Sequence, residues 1–160
     1  MKTFVLIVSR QFPKTHKRAG DLTFFSEKIE CATFCPGECD YCDYHQPKIH
    51  TIRGNYPLWK DRINQIQEGK AILSIRYWSG KPYNSKQVKL HQLDKDSGIG
   101  IQKLDNPTNF VWAEIENEKY NWEDIAKNDG LSFDDFCDWF NTRQKYPMAI
   151  IHFTNFRYNK

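Results

Sequence analysis

No apolar run in this chain is long enough to cross a bilayer. The run nearest the start, TFVLIV at 3–8, lies between Lys2 and Arg10, whereas a helical span needs about 20 apolar residues. No small-residue cleavage site follows it, so it reads as a buried first strand rather than a signal peptide, and the chain is expected in the cytoplasm. Internal repeats and low-complexity tracts are also lacking, which excludes a repeat array. Strong charge of one sign is missing too. A net charge of +3 is too small to demand a nucleic-acid partner, so that case rests on local clusters.

What is present fits one domain. The chain has 160 residues, enough for a real core, with 27% charged and 39% hydrophobic residues. Aromatics reach 15%, and such rings serve either as core or as stacking surface. The pattern predicts strands at 3–8, 48–53, 71–78, 87–93, 100–104, 110–115 and 147–158. Helices are predicted near 21–30, over 55–69, and at 121–129 and 132–140. Pro57 suits a first helical turn and Gly69 a stop, while Asn121 and Ser132 are good caps. Six or seven strands with scattered short helices indicate a mixed α+β domain built around a small β-barrel of about six strands.

The densest polar chemistry lies in KIHTIR at 48–53. Threonine can attack a carbonyl once a neighbour takes its proton, and a desolvated lysine can be that base. Arginine can stabilise the oxygen charge that develops. In a regular strand Thr51 and Arg53 share one face, and Lys48 joins them only if the chain bends at the strand entrance. The plain alternative is a solvated Lys48 with an exposed Thr51 hydroxyl. His50 lies on the face opposite Thr51 and reads as a structural hydrogen-bonding group.

Two further surfaces are candidates. FPKTHKRAGD (12–21) is a basic loop in which His16 and Lys17 could meet phosphate, although such runs are usually solvated. RYWSGKPYNSK (76–86) interleaves Trp78 and Tyr83 with Lys81, so rings could stack on bases while cations hold phosphates. A hairpin that packs its rings back on the barrel is the alternative. Phe133, Phe136 and Phe140 recur at helical spacing and are expected in the core, with Asp134, Asp135 and Asp138 on the exposed face.

Cys31, Cys35, Cys39 and Cys42 lie within ECATFCPGECDYCDYH, with His45 closing the stretch. Four thiolates can close around one structural zinc ion, with His45 able to replace one. Free thiols and disulfides are the alternatives, disulfides being disfavoured in a reducing compartment.

With these motifs in order, the chain resembles the ASCH domain family of the PUA-like superfamily, including its shorter bacterial and phage members. The resemblance rests on FPKTHKRAGDLTFF, KIHTIRGNYPLW, SIRYWSGKPYNSKQV, GIGIQKL, IAKNDGLSFDDFCDWF and AIIHFTNFRY. It implies a PUA-like barrel with helices at its ends and a cleft for RNA, a nucleotide or a modified nucleoside. It also implies that residues 31–47 are an insertion within one 1–160 domain, shaping the entrance to KIHTIR. One enzymatic branch hydrolyses the acyl amide of N4-acetylcytidine with a lysine, a threonine and a glutamate. Its K-x-x-T-x-R pattern falls on Lys48, Thr51 and Arg53. Its acidic position falls on Asp129, one methylene shorter than glutamate. Binding is the first expectation from the resemblance, amide hydrolysis the second, and a phage or host regulatory module that contacts another protein the third.

Overall fold

The architecture is α+β, seen in a computed structural model that describes residues 1–35, 46–140 and 144–159. Among the described residues there are eight strands and four helices. The strands are β1 (Lys2–Ile7), β2 (His50–Arg53), β3 (Ala71–Trp78), β4 (Gln87–Leu93), β5 (Gly100–Asp105), β6 (Ala113–Ile115), β7 (Glu118–Tyr120) and β8 (Met148–His152). The helices are α1 (Phe25–Thr33), α2 (Tyr56–Gln67), α3 (Trp122–Asn128) and α4 (Phe133–Trp139).

The expected six-stranded barrel is not what the pairing describes. The ladders form two sheets, a three-stranded one in the order β1-β3-β4 and a five-stranded one in the order β2-β8-β5-β6-β7. β1 runs parallel to β3, with Leu6 opposite Ile75. β2 and β5 both run antiparallel to β8, so Ile151 stands between Thr51 and Ile101.

β8 is apolar on both faces because both are covered. Ala149, Ile151 and Phe153 join Leu6, Leu73 and Ile75 of the other sheet and Trp59, Ile63 and Ile66 of α2 in one core. Met148 and Ile150 join Ile125, Phe136 and Phe140 of the α3–α4 region in a second. α1 bridges the two, since Ile29 belongs to the first core and Phe25 to the second. α2 starts where its sequence says it should: the Asn55 side chain accepts from Leu58 N, and Pro57 occupies the first turn.

The basic loop 12–21 is anchored at both ends although most of its residues stay exposed. Its base is closed by a Gln11–Leu22 bridge and by Phe12 N donating to Asp21 O. Its cations then dock on α4. Arg18 Nη1 reaches Asp135 Oδ2 at 2.7 Å, Lys17 Nζ reaches Asp134 at 2.6 Å, and Lys17 N donates to Asp138 at 2.7 Å. Asp135, expected on an exposed face, is therefore buried against Arg18. Its carboxylate serves the loop, while Ser132 caps α4 by accepting from Asp135 N.

Ile151 is fully buried between the two sheets. Truncation to alanine should cost about 3 kcal/mol, measured by urea unfolding; a loss under about 1 kcal/mol would mean that the two sheets do not share this core.

Candidate active site

The segment before β2 leaves the ladder just where the site needs it to. Lys48 N donates to Lys28 O of α1 and Ile49 N to Asn128 O of α3, whereas β2 pairing with β8 begins at His50. This bend carries Lys48 to the side of the sheet that Thr51 and Arg53 face. All three line one cavity of about 70 Å³, with Asp129, Phe25, Val8 and Leu131 among the other walls. That is room for roughly two waters. A small acyl group could enter it, while a whole nucleoside, needing a pocket of about 300 Å³ or more, would remain mostly at the mouth.

Lys48 is the unusual residue. It is only 2% exposed, a state lysine rarely reaches without a partner. Its Nζ donates to Asp129 Oδ1 and to Asp129 O, both at 2.8 Å, and lies 4.2 Å from the centroid of the Phe25 ring. Asp129 ends α3, and the turn beyond it passes tightly over Lys48. Gly130 has φ +80, and a Cβ there would lie 3.1 Å from Lys48 Cβ. Glycine suits both the left-handed backbone and the close approach.

Burial pushes the Lys48 ammonium below its ordinary range, and Asp129 only partly offsets this. For Asp129, burial works toward protonation, but Lys48 and then His50 outweigh it and hold the carboxyl below its usual range. Burial also lowers Lys28 to about 8, helped by Lys48 and Arg18. Lys28 Nζ donates to Gly130 O at 2.6 Å, so a second cation lies close to the pair.

Arg53 Nη2 donates to Ile7 O at 2.6 Å, and its Nε is buried with no hydrogen-bond partner among the described residues. A buried guanidinium N–H without a partner is a costly state, and Arg53 is also one of the residues lining the cavity. Thr51 is buried at the cavity wall and makes no side-chain hydrogen bond to Lys48.

The other sequence candidates separate from this group. His16 is buried, its Nδ1 accepting from Arg18 N at 3.0 Å and its Nε2 donating to Asp135 O at 3.0 Å. Both nitrogens are thus used in holding the loop to α4, and the ring packs on Phe12 at 4.5 Å. Lys17 is paired with Asp134. His16 is thus enclosed, whereas Lys17 keeps an exposed side chain beside the acidic face of α4.

Trp78, the last residue of β3, and Tyr83 in the turn beyond it pack on each other at 5.2 Å, with Tyr83 87% exposed and Lys81 exposed. They do not line the Lys48 cavity. They stand on its β1 side, where Val8 N donates to Arg76 O and Arg10 lies over the Tyr77 ring. Cys31 is buried in α1 and Cys35 follows the helix, whereas Cys39, Cys42 and His45 lie outside the described residues. Among the described residues, no helix is long and apolar enough to cross a membrane.

Comparison with protein-family models, curated proteins and solved structures returned no match for the chain.

The sequence underrated what lies behind Asp129. His50 Nδ1 is 3.5 Å from Asp129 Oδ1, and His50 Nε2 is 2.7 Å from Tyr158 Oη. Asn128 Nδ2 donates to the same Tyr158 oxygen at 3.0 Å. The alternation of KIHTIR put His50 opposite Thr51, but only the tertiary position of Asp129 makes that face part of the site.

Breaking the pair from either side should destabilise the fold by about 3 kcal/mol, because each single change strands a buried charge. Asp129→Asn should lose less as pH rises, since an unpaired Lys48 has a folded pKa further below its unfolded one and the penalty fades as the amine deprotonates. Lys48→Met should lose less as pH falls, since Asp129 is then easier to protonate when folded than when unfolded. Combining Lys48→Met with Asp129→Leu should recover most of the loss. Urea titrations across pH measure all three; single losses that simply add in the double variant would contradict the pairing.

Proposed function

We propose that the chain is an ASCH-like nucleoside-binding protein whose Lys48 cavity hydrolyses a small acyl amide, with N4-acetylcytidine as the model substrate. The carrying observation is the buried Lys48–Asp129 pair sharing a small cavity with a threonine hydroxyl and an orphaned arginine N–H. The resemblance of KIHTIR and KNDGLSFDDF to the ASCH pattern adds to that reading. Nucleoside binding is common to the catalytic and the pure binding hypotheses. A free-standing binding cleft has no need of a buried lysine with a depressed pKa, which is why the catalytic one is preferred.

The chemistry follows from the donors and lone pairs. A neutral Lys48 has two N–H bonds and one lone pair. Both donors are taken by Asp129, through Oδ1 and the main-chain oxygen, so the lone pair is the part left for the cavity. The amine accepts the Thr51 hydroxyl proton, directly or through one water in the cavity. Thr51 Oγ1 bonds to the acyl carbon, and the carbonyl oxygen becomes an oxyanion that the Arg53 N–H stabilises. The C–N bond then breaks, and the Lys48 ammonium returns its proton to the leaving exocyclic amine of the base. Water, deprotonated by the same amine, attacks the acyl-threonine ester; the ester C–O bond breaks, the Lys48 ammonium returns the proton to Thr51 Oγ1, and the carboxylic acid is released. Asp129 keeps Lys48 oriented and stabilises its ammonium during each transfer.

Incubation with N4-acetylcytidine should release cytidine, followed by chromatography, and Lys48→Ala should abolish this release while nucleoside binding persists. The rate should rise with pH as Lys48 loses its proton, levelling off below the ordinary lysine value of 10.5. No turnover by the parent at high enzyme concentration would overturn hydrolysis of this amide, and no binding of nucleosides or short RNAs at millimolar levels would overturn the nucleoside cleft as well.

The four cysteines at 31, 35, 39 and 42 are proposed to hold a structural zinc ion, on the spacing of their thiols. Protein purified without added zinc should then carry about one equivalent; less than about a tenth, with four reactive thiols, would contradict the site.

A further inference from the structure

The buried groups behind Asp129 form a continuous chain that the proposed chemistry does not by itself require. His50 and His152 are both 0% exposed, directly opposite each other across β2 and β8, with ring centroids 5.6 Å apart. The groups facing His50 are Asp129 from the end of α3, Lys48 from the same segment, His152 from β8, and Tyr158 and Asn128 at its far nitrogen. Five ionisable or polar side chains at one buried histidine are costly unless each is oriented.

The hydrogen-bond balance decides how they are oriented. Asn128 Nδ2 donates to Tyr158 Oη at 3.0 Å. Were His50 Nε2 to donate there as well, the tyrosine proton would have no acceptor among the described residues, and the His50 Nδ1 lone pair would face the Asp129 carboxylate at 3.5 Å. If Tyr158 donates to Nε2, both problems vanish. Nδ1 then carries the proton and faces Asp129 Oδ1 at 3.5 Å, a charge–dipole contact longer than a formed hydrogen bond. The tyrosine itself is held at its backbone. Gln102 Oε1 accepts from Tyr158 N at 2.8 Å and from His152 Nε2 at 2.9 Å, and Gln102 Nε2 donates to Tyr158 O at 3.0 Å. This clamp fixes both the tyrosine and the neighbouring imidazole.

We propose that His50 and Tyr158 are positioning residues of the Lys48 centre: Tyr158 sets the His50 tautomer, and the His50 Nδ1–H keeps the Asp129 carboxylate ionised and aimed at Lys48 when that amine is neutral. The function rests on the amidohydrolase reading above, whereas the tautomer rests on the coordinates alone. The need is specific. When Lys48 is an ammonium, Asp129 has a full counter-charge. When Lys48 is the free base, the carboxylate is buried beside a neutral amine, and its remaining polarised donor is the His50 N–H at 3.5 Å. Without that donor Asp129 would take up a proton and rotate from Lys48.

Nitrogen NMR of the whole protein at neutral pH reads the tautomer without any assay. The expected spectrum has His50 protonated at Nδ1 and bare at Nε2; Tyr158→Phe should shift the Nε2 signal as that nitrogen loses its hydrogen-bond donor, and His50→Phe should raise the Asp129 carboxyl titration seen by carbon NMR. An Nε2–H His50 in the parent would overturn the proposal, whether or not the variant folds and whether or not any amide is hydrolysed. If N4-acetylcytidine is turned over, Tyr158→Phe and His50→Gln should each lower kcat on the order of tenfold with KM unchanged, and move the pH–rate profile upward. A Tyr158→Phe profile that falls in height without moving would assign the tyrosine a purely structural role and overturn the positioning one.

Discussion

The buried Lys48–Asp129 ion pair is the constraint around which this end of the molecule is arranged. Desolvating two charges costs several kcal/mol per ion, and their attraction offsets this only with good geometry and further hydrogen bonds. The chain supplies both. The bend before β2 brings Lys48 inward, α3 ends on Asp129, Gly130 lets the backbone pass close by, and Asp129 takes two lysine donors through Oδ1 and its main-chain oxygen. A pair of apolar residues would fill the same space without the desolvation cost. The proposed chemistry uses the charge retained there beside the cavity.

The rest of the architecture holds that pair still. β8 lies beside β2 in the same sheet with both of its faces buried, so the strand carrying Thr51 and Arg53 is hydrogen-bonded to a strand covered by two cores. α1 touches both cores and lends Phe25 to the cavity and Lys28 O to the bend. The loop at 12–21 fastens to α4 through Arg18 and Lys17, which secures the helix whose Trp139 and the following Phe140 close another wall.

Much of this was legible in the sequence where local chemistry decides. β3 and β4 fall on the stretches AILSIRYW and QVKLHQL, and the caps at Asn121 and Ser132 act as their residue types predict. Turns defeated the reading elsewhere. The strand expected at 110–115 shrinks to 113–115 because Asn109 and Phe110 take positive φ, and the short β7 follows a second such turn at Glu116 and Asn117. The last strand stops at His152, beyond which the Gln102 amide takes over the Tyr158 backbone. In the site, Lys48, Thr51, Arg53 and Asp129 were named together and line one cavity. The loop cations and His16 were legible as residues but not as partners, since α4 lies more than a hundred positions away. His50 and Tyr158 needed the same long-range placement to acquire a meaning.

The most direct test of the central claim is a rapid acid quench of the protein during exposure to N4-acetylcytidine, followed by peptide mass spectrometry. The account predicts one acetyl group on the peptide bearing Thr51, appearing before free acetate accumulates and missing from Lys48→Met. Cytidine released with Thr51 unmodified at every time, and undiminished in Thr51→Val, would contradict the nucleophile and with it the mechanism built on this cavity.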